Sequence, residues 1–274
     1  MSVTLYCRPS DIVTSHASWS VAAGTVSTDA NYGLGALVTK NPAVPVKFTT
    51  AVQVEIVGDF GANHRVDGVL FPHHNFTNGL AVKFQMHTTN SWGAPTVDAL
   101  LDVDAARMDG HSRSPWIDLR LVSGYAQAGL RYCRILVPAM AVGAQFGGFS
   151  LVEQWRDLGV SFEVKQSQNR PMLHSFTTAV GVKSEYSLNA RSWRFEGSTL
   201  ASDADYRDLL DLHDAARGID SFPFILDDSV KNDGGYLVSF SDELRASMSG
   251  TWAHGPGIIN MPLAFDEISR GLPL

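Results

Sequence analysis

From Ser2 to about Glu153 the chain sets short apolar runs between turn residues: VQVEIVGDFG, RVDGVLFPHHNF, LAVKFQM, PWIDLRLV, YCRILVPA and FGGFSLVE. Runs of roughly five to eight residues, rich in Val, Ile and Phe and parted by Gly, Pro, Asn and Asp, predict a β-sandwich or barrel. One stretch breaks the rhythm. TVDALLDVDAARMDG places Val97, Leu100, Leu101 and Ala105 at helical spacing while Val103 and the aspartates interrupt it, and it reads as a short helix or an irregular loop. At WRDLGVSFEVKQSQNRP a Gly, a polar cluster and a Pro mark a junction, predicting domains over 1–158 and 163–274.

The second half resumes with strands (HSFTTAV, SEYSLN, SWRFEG) and then holds the one well-marked helix, expected at about 203–217. Ser202 can cap it, with Asp205 in the capping-box place, and Asp203, Asp205 and Asp208 suit the positive end of the helix dipole. Tyr206, Leu209, Leu210 and His213 form a single stripe to bury, and Gly218 supplies the left-handed stop. FPFILDD and GYLVSF then flank an Asn232-Asp233-Gly234-Gly235 turn, the signal for a hairpin. The fold expected is mainly β: an N-terminal sandwich, then an α+β domain with one helix on a sheet or split barrel.

Hydrophobic residues make up 45% of the 274 and charged residues 18%, enough apolar material for a core and too little charge for a disordered chain. The net charge of -7, with no Lys/Arg-rich run, excludes a basic field and so makes nucleic acid an unexpected direct partner. Cys7 and Cys133 each sit in an apolar run and read as buried free thiols. No apolar run reaches the roughly 18 residues of a membrane span, and no charged-then-apolar leader opens the chain, so synthesis in the cytoplasm without its own export signal is expected.

The candidate chemistry is sparse. There is no G-x-S-x-G, H-E-x-x-H, Walker or G-x-G-x-x-G motif, and Asp227-Asp228 sits beside a turn, where acids are solvated; neither an enzyme nor a cofactor is expected. His73 and His74 alternate faces on a strand and cannot share a metal, so they read as sheet-edge histidines. Asp102 and Asp104 with Asp98 or Asp109 could surround calcium, but without EF-hand spacing they read as solvated loop acids. Trp19, Tyr32, Trp92 and Trp116 stand near Gly, Asn or Ser in turn-like contexts. Flat rings there can stack on sugar faces, or fill the ends of a core or a subunit interface.

Two resemblances carry these readings further. Trp193-Arg194-Phe195, a helix carrying Tyr206, Leu209 and Leu210, then Ala216-Arg217-Gly218, Phe222-Pro223-Phe224 and a strand pair around Tyr236 to Phe240 resemble the β-domain of tail-tip proteins of long-tailed bacteriophages and gene transfer agents, especially distal tail proteins, over about 163–265. That family usually carries this domain first, the reverse of the order here. The first half, with Asp59-Phe60-Gly61, Val69 to Phe71 and His74-Asn75, resembles the discoidin or galactose-binding-like jelly roll.

The resemblance implies a structural virion protein, assembled in the host bacterial cytoplasm into a six-fold or three-fold homo-oligomeric ring beside tail-tube and baseplate-hub proteins. Phe222, Phe224, Tyr236 and Phe240 would form its assembly hairpin, because both faces of those strands are apolar. The alternative is a carbohydrate-binding module that meets a host-surface glycan through Trp19, Tyr32, His74, Trp92 and Trp116.

Overall fold

The strands of the first half earn their places by strict alternation. In Leu80–His87 the side chains of Val82, Phe84 and Met86 point inward, and in Val97–Val103 those of Val97, Ala99, Leu101 and Val103 do the same. A computed structural model describes residues 4–29, 31–39, 44–77, 79–103, 116–140, 144–158, 163–169, 173–177, 183–187, 192–201, 203–216, 221–226, 235–240, 247–249 and 258–267. The chain divides into two compact units, 1–160 with 220–237, and 161–219 with 238–274.

The first unit is built on an antiparallel five-stranded sheet in the order Ser18–Ala23, Val54–His64, Leu130–Val137, Leu80–His87, Val97–Val103. Its inner face shares one core with Val69, Phe71, Phe146, Phe149 and Leu151, which come from two three-stranded sheets and their connections. Those sheets are Ser150–Val152, Gly68–Leu70, Trp116–Asp118 and Val46–Lys47, Gln145–Gly147, His73–His74. Two layers over one apolar core make a β-sandwich.

Val97–Val103 is a strand, which corrects the helix-or-loop reading. Four inward residues at period two outweigh the helical spacing of Val97, Leu100 and Leu101, and Leu100 is 54% exposed on the opposite face. The aspartates from Asp104 to Asp109 lie outside the described residues.

A second correction concerns 220–237, expected with the second half. Phe222–Ile225 pairs with Leu5–Tyr6, which also pairs with Arg156–Asp157, and Gly235–Phe240 neighbours Phe222–Ile225 in the same sheet. Cys7 N–H donates to the Pro223 carbonyl at 3.0 Å, and the Thr4 hydroxyl to the Leu226 carbonyl at 3.0 Å. Ile225 closes a small core with Leu5, Cys7, Leu70, Trp116, Val152 and Trp155. An apolar strand needs cover on both sides, and the first unit supplies it.

In the second unit Ile258–Glu267 pairs with Ser192–Ala201, and that strand with Glu163–Asn169; Ser247–Ser249 and Val238–Phe240 also pair with Ile258–Glu267. The helix runs Asp203–Ala216, as the capping pattern indicated, although Ser202 and Gly218 lie outside the described residues. Its buried residues are Leu209, Leu212 and Ala216, over the buried Phe195, Leu263 and Phe265. The stripe is thus turned from the one expected: Leu212 is inside, while Leu210 and His213 lie half-buried at its margin. The sheet's other face holds ions, with Arg194 Nε 2.6 Å from Glu196 and Nη1 3.6 Å from Asp266.

Candidate recognition surfaces

Three of the five candidate contact residues face inward. Trp19 crosses Gly58 at the inner end of its strand, where a Cβ would meet the indole at 2.9 Å, and its Nε1 donates to the Thr14 carbonyl at 3.0 Å. Its ring stands edge-on to Phe149 at 5.9 Å. His74 is 1% exposed, stacked on Phe76, and its Nδ1 accepts from the Phe76 N–H at 3.2 Å. Trp116 is buried edge-on to Trp155 at 6.1 Å, and neither indole N–H has a partner among the described residues. The His74 and Trp116 rings cannot lie against a glycan while the first unit is folded, and Trp19 is half-buried against the core.

Tyr32 and Trp92 do reach the surface, on different loops. Tyr32 is exposed beside Lys47, whose Nζ is 5.7 Å from the ring centre. Trp92 belongs to the connection after Leu80–His87 and lies on the Arg134 guanidinium, 4.9 Å from the ring centre, with its Nε1 donating to Asn90 at 2.9 Å. Arg134 anchors a polar row on the sheet's outer face: Nε donates to Gln85 at 2.7 Å, Nη1 to Glu55 at 2.9 Å, and Gln85 passes on to Asp98 at 2.9 Å. Asp98 also accepts from Lys83 at 3.1 Å. The row satisfies itself, and its geometry is that of a brace beneath an aromatic lid.

Charged groups elsewhere in the first unit are fastenings too. Asp67, fully buried, accepts two bonds from Arg65 at 2.7 and 2.6 Å and one from the Tyr125 hydroxyl. Burial, then the bond to that carboxylate, holds the Tyr125 phenol above its usual range. The Asp59 carboxyl lies below the usual carboxylate range because Arg131 donates to it at 2.8 and 3.0 Å. Cys7 and Cys133 are free and buried, and burial pushes both thiols up, so each is protonated and unreactive at neutral pH.

The assembly hairpin is the main revision. Phe222, Phe224 and Tyr236 are buried within the chain, as are Ile225, Leu237 and Val238. Phe240 is half-buried between His213 and Phe265, each at 5.1 Å. The apolar alternation that suggested a subunit contact is satisfied by the chain itself.

Sequence reading missed a cleft in the first unit, formed where 12–15, 37–39 and 148–150 meet Ser221 and Leu237. Its hydroxyls come from four separate segments, so no local motif announces it. Among the described residues no group of three or more His, Cys, Asp or Glu could hold a metal, and no helix is long and apolar enough to cross a membrane. Comparison with protein-family models, curated proteins and solved structures finds no match to this chain.

Proposed function

We propose that this chain is a structural protein of a tailed-phage tail tip, assembling through its second unit into a symmetric ring beside tail-tube and baseplate-hub proteins in the virion. Its work is assembly rather than turnover. The observation that carries the reading is the second unit's incomplete strand pairing. Glu163–Asn169 is paired on one side only among the described residues, and Leu173–Thr177 with Lys183–Ser187 forms a two-stranded hairpin with no third strand among them. An isolated hairpin is marginal in water, and an open edge is a template for another chain. One copy's hairpin meeting the next copy's edge is a head-to-tail contact, and such contacts close into rings. Trp193-Arg194-Phe195 and the helix of the tail-tip likeness lie in the second unit, whereas its Phe222-Pro223-Phe224 and Tyr236 belong to the first.

Light scattering and negative-stain imaging of the whole chain, alone and mixed with the tail-tube protein encoded beside it, test the proposal. Closed rings are expected. Replacing 170–190 by a short Gly-Ser linker should leave a folded monomer. A chain that stays monomeric at every concentration and with that partner, or a linker variant that still forms rings, overturns it.

A further inference from the structure

The edge strand and the unpaired hairpin of the second unit match each other in register. Alternation puts Glu163, Lys165 and Ser167 on one face of Glu163–Asn169, and Val164 and Gln166 on the other. Pairing with Ser192–Ala201 identifies those faces. Lys165 is opposite Glu196 and Ser167 opposite Arg194, on the face of the Arg194–Glu196 ion pair, whereas Gln166 is opposite the buried Phe195. The hairpin is two-faced in the same way: Lys183 and Glu185 stand opposite Thr177 and Ser175, while on the other face Tyr186 stands opposite His174 and Ser184 opposite Phe176. One face thus carries the charges of its two strands and the other the aromatic residues.

Few registers join the edge to the hairpin with like faces together, and their charges separate them. Laid parallel, Glu163 falls beside Lys183, Lys165 beside Glu185 and Ser167 beside Ser187, which makes two opposite-charge pairs. Shifting that register by two residues brings Lys165 to Lys183 or Glu163 to Glu185. Laid antiparallel over its full length, the strand matches only Lys165 with Glu185, and a shift by two residues gives either two like-charge pairs or none. Leu173–Thr177 offers neither a carboxylate nor an ammonium. Opposite charges across a strand pair stabilise it and like charges do the reverse, so the parallel register is the favoured one.

We propose that Glu163–Asn169 of one copy pairs in parallel with Lys183–Ser187 of the next, with Glu163 beside Lys183 and Lys165 beside Glu185. This rests on the ring reading and gives its contact a register. Within one chain the two strands belong to separate sheets, so the match is made between copies. The same register carries both faces across the junction. Glu196, Lys165 and Glu185 become three successive positions of alternating sign, and the face of Phe195 runs on through Gln166 to Tyr186 and His174. A parallel ladder is slightly less stable per residue than an antiparallel one, so the contact depends on its charge pairs and weakens as salt rises.

The test uses the full chain carrying Ser167→Cys and Ser187→Cys together, treated with a mild oxidant and read on a non-reducing gel, beside negative-stain imaging of the unsubstituted chain. Cys7 and Cys133 are buried, and burial keeps both thiols protonated, so they stay out of the reaction. A ladder of linked copies is expected, and none from Ser167→Cys with Lys183→Cys, the pair that the antiparallel register would join. Within its own chain Lys183 is opposite Thr177 and Glu163 opposite Ser198, so reversing either charge leaves the single copy undisturbed. Lys183→Glu should weaken association about fivefold in sedimentation, and adding Glu163→Lys should restore it. Rings without the ladder, a bridge closed inside one chain, a ladder from the antiparallel pair, or association indifferent to both reversals overturns this register and leaves the ring reading standing. Neither rings nor a ladder overturns both.

Discussion

A single methyl group at Gly68 tests the small core that joins the returning segment to the sandwich. A Cβ there would stand 2.0 Å from Trp155 Nε1, 2.4 Å from Cε2 and 2.7 Å from Cζ2. Ordinary contact is about 3.5 Å, so the indole must retreat by roughly 1.5 Å. It has nowhere to go: Trp155 is 3% exposed, edge-on to Trp116, in the cluster with Leu5, Cys7, Leu70, Val152 and Ile225. Nor can Gly68 retreat, because its strand is paired on both sides, to Val152 and to Asp118.

Overpacking costs about 1–3 kcal/mol, and full loss of a buried Trp about 3–5 kcal/mol. Gly68→Ala, which forces part of the second, should therefore destabilise by about 3 kcal/mol. The Trp155 indole N–H has no partner among the described residues, so Trp155→Leu removes the clash without breaking a hydrogen bond. Urea unfolding followed by tryptophan fluorescence on both single variants and the double variant gives the coupling. The double should fall short of the sum by about 2 kcal/mol, as expected for residues in direct contact. A Gly68→Ala variant within about 0.5 kcal/mol of wild type, or strict additivity, would refute the packing described.

Leu212→Ala should destabilise the second unit by about 2–4 kcal/mol, and Asp211→Ala by less than about 0.5 kcal/mol; equal losses in chemical denaturation would show the helix turned otherwise. His64 is stacked on Phe60 and edge-on to His16, and burial, aided by His16 and opposed by Glu153, holds its pKa below the usual value. The unfolded chain then binds more protons near pH 6.5, so stability should be full above about pH 6.5 and fall as pH drops through the folded value; His64→Phe should flatten urea midpoints between about pH 7.5 and pH 5.5, and parallel curves would contradict this. Arg134→Met leaves Gln85 and Glu55 without their donor and should cost about 2–4 kcal/mol, less than breaking a fully buried pair because Glu55 keeps 18% side-chain exposure; a neutral effect in urea unfolding would disprove the brace. Residues 1–160 alone, lacking the strand that covers Leu5, Leu70 and Trp155, should bind a hydrophobic dye and unfold at lower urea than the whole chain, and equal midpoints would count against the returning segment.

What the sequence made legible was what neighbours in the chain decide. Alternation fixes which face of Leu80–His87 is buried, and the acids at the start of Asp203–Ala216 with the leucines inside it place a helix within a residue of where it lies. Trp19 and Trp116 look like loop-tip rings in sequence because Ser and Gly surround them. In the fold, Gly58 makes room for the one and Gly68 for the ring that packs on the other. A glycine that signals a turn in one dimension can be a close approach in three, and only the partner strand says which.

The returning segment shows why the remainder was hidden. Phe222, Phe224 and Ile225 need cover on both faces, and a local pattern can state that need without stating who meets it. The cover is Leu5–Tyr6 and the Trp116–Trp155 core, and Thr4 reaches Leu226 across 222 positions of sequence. The same long-range closure brings Ser221 and Leu237 to the cleft, so that side of it is invisible to any reading that ends the first domain at residue 158. It also narrows the assembly reading. Once the chain covers its own hairpin, assembly has to rest on the Glu163–Asn169 edge and the hairpin beyond it.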